Sequence, residues 1–222
     1  FNSEPRASRS TVLTQNGMVW SASPLAATDG IQVLSQGGNA FDAAVAVAAV
    51  ETVCLTPLCG IGGEVFALLW NAKDQTLFGL TGSGKAAGLA TPEFFYSQGY
   101  EQIPAQGPLS SSVPGEIDAW DTILRKFGTK NFKSLLQPAI HYAKEGYPIP
   151  DRIASFFAGQ TTKLNRFPTS KLDLTHDGEP FQQGEVLKQL NLVNTLERIV
   201  LNGRDEFYQG ETARELVKAV QE

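Results

Sequence analysis

The chain has 222 residues, 42% of them hydrophobic, which is enough to bury a sizeable core as one large domain or two small ones. Its 18 Lys and Arg against 23 Asp and Glu leave a formal net charge of -5, and no basic run is present to follow a phosphate backbone, so nucleic acid is not expected as a partner. The longest apolar run, residues 43–55, is Ala-rich, contains Glu51 and is too short to cross a bilayer, so no membrane anchor is expected either. Phe1-Asn2-Ser3-Glu4-Pro5 lacks the charged start and apolar middle of a signal peptide. The compartment stays open between the cytoplasm, towards which this reading leans, and the periplasm or exterior.

Taken in chain order, residues 21–36 read as a helix entered through Ser23-Pro24, with Leu25, Thr28, Ile31 and Leu34 at helical spacing and Gly37-Gly38-Asn39 ending it. After Asp42 the run from Ala43 to Val50 carries small apolar residues on every face, the mark of a helix packed tightly between other elements. Beyond Gly60, Gly62 and Gly63, residues 65–70 and 76–80 form a predicted hairpin joined by Asn71-Ala72-Lys73-Asp74. Its first strand is apolar on both faces, which predicts a sheet covered on both sides.

From Pro92 onward the pattern turns mostly helical. Pro114-Gly115-Glu116 opens a helix with Ile117, Trp120, Ile123 or Leu124, and Phe127 on one face before Gly128. Helical spacing continues from Phe132 to Ala143 across Pro138, which should kink or divide it, until Gly146-Tyr147-Pro148. Residues 161–184, with Pro168, Pro180 and Asp177-Gly178, read as an irregular surface excursion. Residues 187–200 are helical again, with Leu190, Val193, Leu196 and Val200 on one stripe, and a last helix spans 211–221. The chain stops within that pattern, as a piece continued by further residues would.

The chemistry-bearing residues are sparse. Cys54 and Cys59 lie five positions apart and cannot staple a fold of this size, and with only His141 and His176 elsewhere they do not make a metal set; they read as buried thiols. Gly79, Gly84 and Lys85 fit the spacing of a phosphate-binding loop, but Ala86 stands where a magnesium-binding hydroxyl is needed and Gly79 falls inside a strand. Gly82-x-Gly84-x-x-Ala87 nearly matches a dinucleotide fingerprint, yet Gly88 and Pro92 interrupt the helix it must open. A turn that needs its glycines only for backbone shape accounts for the same residues. No G-x-S-x-G elbow accompanies either histidine, so no Ser-His-Asp set is visible, and neither metal nor cofactor is expected.

Gly17-Met18-Val19, Ser23-Pro24-Leu25-Ala26-Ala27, the run Gly37-Gly38-Asn39-Ala40-Phe41-Asp42-Ala43-Ala44-Val45-Ala46 and Gly60-Ile61-Gly62-Gly63 follow one another in an order and spacing that resembles the gamma-glutamyltransferase family. The resemblance continues through Ala90-Thr91-Pro92, Ser112-Val113-Pro114-Gly115, Leu136-Gln137-Pro138-Ala139-Ile140 and Ala143-Lys144-Glu145-Gly146-Tyr147-Pro148, so it covers nearly the whole chain. It implies an α+β fold, the αββα four-layer sandwich of N-terminal-nucleophile hydrolases, with residues 1–222 as the large-subunit portion and a second subunit completing it. It also implies a precursor that cuts itself and a nucleophilic threonine at the start of that small subunit, acting on a small-molecule amide. No catalytic residue is therefore expected in this chain. Thr161, preceded by Gln160, and Thr162 are set aside as cleavage points because the glycine-rich context of the family is missing around them.

The departures from the family pattern bear on substrate. Ser83 stands where the resemblance calls for an arginine that pairs with a substrate α-carboxylate, a bidentate role suited to guanidinium. Gly82-Ser83-Gly84-Lys85 instead resembles the acylase-like branch, which includes cephalosporin acylases that take glutaryl groups. Ser83 is thus the expected substrate-side position, with Lys85 as a replacement cation or a solvated surface lysine, and Glu64 as a structural acceptor rather than an acid or base. An inactive binding or structural member of the family, and a nucleotide-binding protein using Gly79 and Lys85, are the alternative readings.

Overall fold

The computed structural model describes residues 10–221; Phe1-Asn2-Ser3-Glu4-Pro5, on which the signal-peptide reading falls, lies outside the described residues. The organising element is helix α2 (Ala40–Cys54), whose Ala46, Ala49, Val50 and Val53 have no solvent exposure. Alanines let neighbouring backbones approach closely, and α1 (Pro24–Ser35), α4 (Glu116–Phe127), α5 (Phe132–Leu135) and α6 (Gln137–Glu145) all pack on it. Helix α1 is capped by the Ser23 hydroxyl, and it ends where Gly37 takes φ +79°, as Gly37-Gly38-Asn39 leads one to expect.

Helix α2 starts earlier than the sequence pattern indicates, because Asn39 rather than Asp42 is its N-cap. Asn39 Oδ1 accepts from the backbone N–H of Phe41 and Asp42, and Asp42 Oδ2 accepts from the Asn39 N–H at 2.9 Å, a closed capping box. The fully buried Asp42 carboxylate also accepts from the N–H groups of Thr129 and Lys130 and from the Thr129 hydroxyl at 2.7 Å. It thereby ties the start of α2 to the turn after α4. Burial alone would raise this carboxyl; the Thr129 hydroxyl and the Asn39, Lys130 and Thr129 N–H groups outweigh it and hold the pKa below the usual value.

The hairpin forms as expected from β1 (Val65–Asn71) and β2 (Thr76–Gly82), antiparallel, with Phe66 opposite Thr81, Leu68 opposite Gly79 and Trp70 opposite Leu77. Val65, Ala67, Leu69 and Leu80 face the helices and join the core, and Phe78 meets Phe127, which stacks on Phe41. The other face is left bare by this chain's described residues: Phe66 is 69%, Leu68 78% and Trp70 53% exposed. Within the described residues the hairpin has helices on one side only.

Pro138 divides the next segment as expected, sitting in the first turn of α6, where a missing N–H costs nothing. Gly146, at φ +90°, then leads into β3 (Tyr147–Pro148), which pairs with β4 (Val186–Leu187). Between them the structure corrects the irregular-excursion reading. Residues 161–164 close the helix α7 (Asp151–Leu164), and α8 (Pro168–Leu174) follows, with the turn at Asp177-Gly178 held by the Asn165 side chain. Helix α9 (Leu190–Asn202) buries Val193, Leu196 and Ile199, and α10 (Arg204–Gln209) and α11 (Glu211–Gln221) close the chain. Among the described residues no helix is long and apolar enough to cross a membrane.

Candidate functional site

Three segments that are distant in sequence meet at the end of the hairpin: residues 60–64, 82–85 and 112–116. Their junction is made by backbone. The Gly63 carbonyl accepts from the N–H groups of Gly115 and Glu116 at 3.0 and 3.2 Å, and the Lys85 carbonyl accepts from the Val113 N–H at 3.0 Å. The Ser112 hydroxyl donates to Glu64 Oε1 at 3.0 Å, so Glu64 is the structural acceptor expected of it.

The glycines are explained by this contact. A Cβ on Gly84 would lie 1.3 Å from the Val113 carbonyl oxygen, one on Gly115 2.0 Å from that of Gly82, and one on Gly82 2.7 Å from the Ala119 side chain. Only bare backbone fits such an approach. Neither nucleotide reading survives: Gly79 lies within β2, and no helix opens after Lys85 until α3 (Pro92–Ser97). The anion-binding helix terminus that both motifs require is missing.

Ser83 and Lys85 are exposed on this loop, and Lys85 makes no ion pair among the described residues. Beneath the junction lies a group that sequence reasoning passed over. Glu116, the first residue of α4, is 7% exposed, and its Oε2 approaches Gly63 so closely that a Cβ there would sit 3.3 Å away. Burial, and then the charge of Glu51, push its carboxyl up to about 8. Glu51 itself accepts from the Ser21 hydroxyl at 2.6 Å, joining the segment before α1 to the same neighbourhood. In sequence Glu116 reads as an ordinary acidic first-turn residue, and the approach of Gly63, far away in sequence, helps to bury it.

The other candidates fall away from the junction. His141 is exposed on α6 and His176 on the turn after α8. Thr161 and Thr162 lie within α7. Cys54 is buried, and burial, then Asp29, push its thiol up to about 12; Cys59 is raised by burial and by Glu51 and Glu116, so both are poor nucleophiles. A cleft of about 350 Å³ is bordered by Gly60, Ile61 and Gly62 together with Thr52, Thr56, Cys59 and Gln189, and neither Ser83 nor Lys85 borders it. No group of three or more His, Cys, Asp or Glu among the described residues is placed to hold a metal ion.

The comparisons agree with this architecture. The family model described as gamma-glutamyltranspeptidase matches residues 26–222. The glutathione hydrolase proenzyme of Bacillus subtilis strain 168 is 34% identical over 94% of this chain, and the acylase ACY 1 proenzyme of Pseudomonas sp. strain SE83 is 32% identical over 90%. Among solved structures, the gamma-glutamyltranspeptidase of Helicobacter pylori superposes with a TM-score of 0.90 at 32% identity over 96% of this chain and 62% of its own. The cephalosporin acylase of Bacillus halodurans superposes with a TM-score of 0.89 at 34% identity over 98% of this chain and 42% of its own. The chain belongs to the gamma-glutamyltranspeptidase family. It spans 36% of the Bacillus subtilis relative's length and 37% of the Pseudomonas relative's.

Proposed function

We propose that this chain is the large-subunit portion of a self-processed amidohydrolase or acyltransferase that hydrolyses or transfers γ-glutamyl groups, the nucleophile being a threonine at the start of a partner small subunit. The observation that carries this reading is the family match over residues 26–222, together with a sheet whose apolar outer face, Phe66, Leu68 and Trp70, stands open for a second layer. The names of the relatives, glutathione hydrolase proenzyme and acylase proenzyme, support a processed precursor.

In the proposed reaction the threonine hydroxyl attacks the amide carbonyl while its own α-amine accepts the hydroxyl proton. That proton passes to the leaving nitrogen as the C–N bond breaks, leaving an ester between acyl group and threonine. Water or an acceptor amine then attacks the ester and restores the hydroxyl. The same oxyanion donors serve both steps, which is the advantage of dividing the reaction. This chain contributes walls and substrate contacts, with Ser83 and Lys85 at the acyl-group side.

A second reading is favoured by one observation: residues 82–85 carry serine where the α-carboxylate of a γ-glutamyl group calls for arginine. In that reading the enzyme is a cephalosporin acylase-type hydrolase that takes glutaryl groups, which lack the α-amino acid head. Intact-mass analysis and N-terminal sequencing of the companion chain test the class; a companion that does not begin with threonine would overturn it in favour of a non-catalytic member. Rates on a γ-glutamyl anilide and its glutaryl analogue separate the two substrates. Ser83→Arg should then raise selectivity for the γ-glutamyl compound by roughly tenfold, the worth of one charge-assisted pair, and an unchanged ratio refutes the role given to Ser83.

A further inference from the structure

The geometry points to Tyr208 as a positioning residue for the 82–85 loop, a role that rests on the reading above that this loop meets the substrate. The argument begins with a missing cap. The first N–H groups of any helix need partners from outside it, and the N-cap side chain usually supplies one. The N-cap of α4 is Gly115, which has no side chain to offer. It is glycine for a reason described above: a Cβ there would collide with the Gly82 carbonyl. The close approach that seats the loop therefore deprives α4 of its cap.

Tyr208 supplies the cap from α10. Its hydroxyl accepts from the Asp118 N–H at 3.1 Å and donates to the Pro114 carbonyl at 2.8 Å, so one oxygen satisfies both sides of the bend between the 112–115 arm and the helix. The Val113 N–H of the same arm holds the Lys85 carbonyl. A continuous path of two residues thus runs from the Tyr208 hydroxyl to the loop carrying Ser83 and Lys85.

The tyrosine is itself held firmly. Arg204 pairs with both Asp118 and Asp205, and its guanidinium lies 4.6 Å over the Tyr208 ring. Phe207 meets the same ring edge-on at 5.2 Å. Glu206 anchors α10 to α11 by accepting from the Thr212 N–H at 3.1 Å and its hydroxyl at 3.2 Å. With the ring fixed, the hydroxyl transmits the position of α10 to the arm.

Tyr208→Phe in the full-length processed enzyme keeps the ring and deletes only the hydroxyl. The expected result is a KM for a γ-glutamyl anilide raised roughly three- to tenfold, the worth of a hydrogen bond, with kcat within about twofold, and faster amide exchange at Val113 and Asp118. A purely structural role would lower the yield of folded enzyme without this split. Arg204→Gln, which loosens the ring but leaves the hydroxyl, serves as a second variant and should move KM in the same direction by less. An unchanged KM in both variants, or a fall in kcat alone, overturns the positioning role when Ser83→Arg still alters donor selectivity. If Ser83→Arg is silent as well, the reading that the loop meets substrate fails, and the positioning role fails with it.

Discussion

Replacing Glu116 by glutamine should stabilise the protein at neutral pH, and the gain should vanish in acid. The carboxyl sits in the first turn of α4, where the helix dipole favours a negative charge by about 0.3–1 kcal/mol, or at most about 2. Burial wins over that attraction: with 7% of the residue exposed and Glu51 nearby, the pKa rises from 4.5 to about 8. A raised carboxyl means that the folded state binds more protons than the unfolded one between those two values, so stability falls as pH rises through that window. At about 1.4 kcal/mol per pH unit the loss is on the order of 3 kcal/mol by pH 7 and on the order of 5 by pH 8 and above. Glutamine keeps the shape and carries no such penalty. The assay is the melting temperature of the full-length wild-type and variant proteins from pH 4.5 to 8.5. The variant's advantage should open steadily across that range. A difference that stays constant with pH would mean that Glu116 is as easily ionised in the folded protein as in the unfolded chain, and the assignment of a buried, neutral acid beneath the junction would be wrong.

The remaining predictions concern the joints that hold the site. Gly84→Ala should cost more than about 2 kcal/mol or displace the loop, because the new Cβ falls 1.3 Å from a backbone oxygen that cannot swing aside; a melting temperature and donor KM close to wild type would refute the contact. Asp42→Asn places an amide N–H₂ among N–H donors and should cost about 3 kcal/mol at pH 7, read by thermal unfolding. Because the Asp42 pKa is lowered in the fold, its contribution is present above the ordinary value of 3.8 and lost as pH falls through the folded pKa. The wild-type advantage over Asp42→Asn should therefore shrink only in strong acid.

Capping residues and periodic small residues made most of the helical framework legible. Ser23-Pro24 and Gly37 mark α1, the alanine run marks α2, and Pro138 divides α5 from α6 as its missing N–H demands. Helix α7 escaped because only Ile153 and Phe157 are buried along its length, while Gly159, Thr161 and Thr162 dilute the pattern towards its end. The doubly apolar β1 was read correctly as a strand, but its second cover is not made by this chain's described residues. At the candidate site, Ser83 and Lys85 were reached through the family resemblance, and the glycines around them through their backbone role. Glu116 and Tyr208 were not reached. Both acquire their roles from partners far away in sequence, Gly63 for the one and Pro114 and Asp118 for the other, and local spacing carries no trace of such contacts.

The open face of the hairpin also bears on how such a protein is assembled. Phe66, Leu68, Trp70 and Leu77 form a row of large apolar side chains on a two-stranded ribbon, a surface that in water would sooner find another copy of itself than remain bare. Two separately made chains would have to meet through dilute solution before that happened. A cover tethered on the same polypeptide arrives at an effective concentration on the order of millimolar, ahead of any competitor. Under the self-processing proposed above, a cut made only after the layers have closed would release the nucleophile where the greasy ribbon is already sealed.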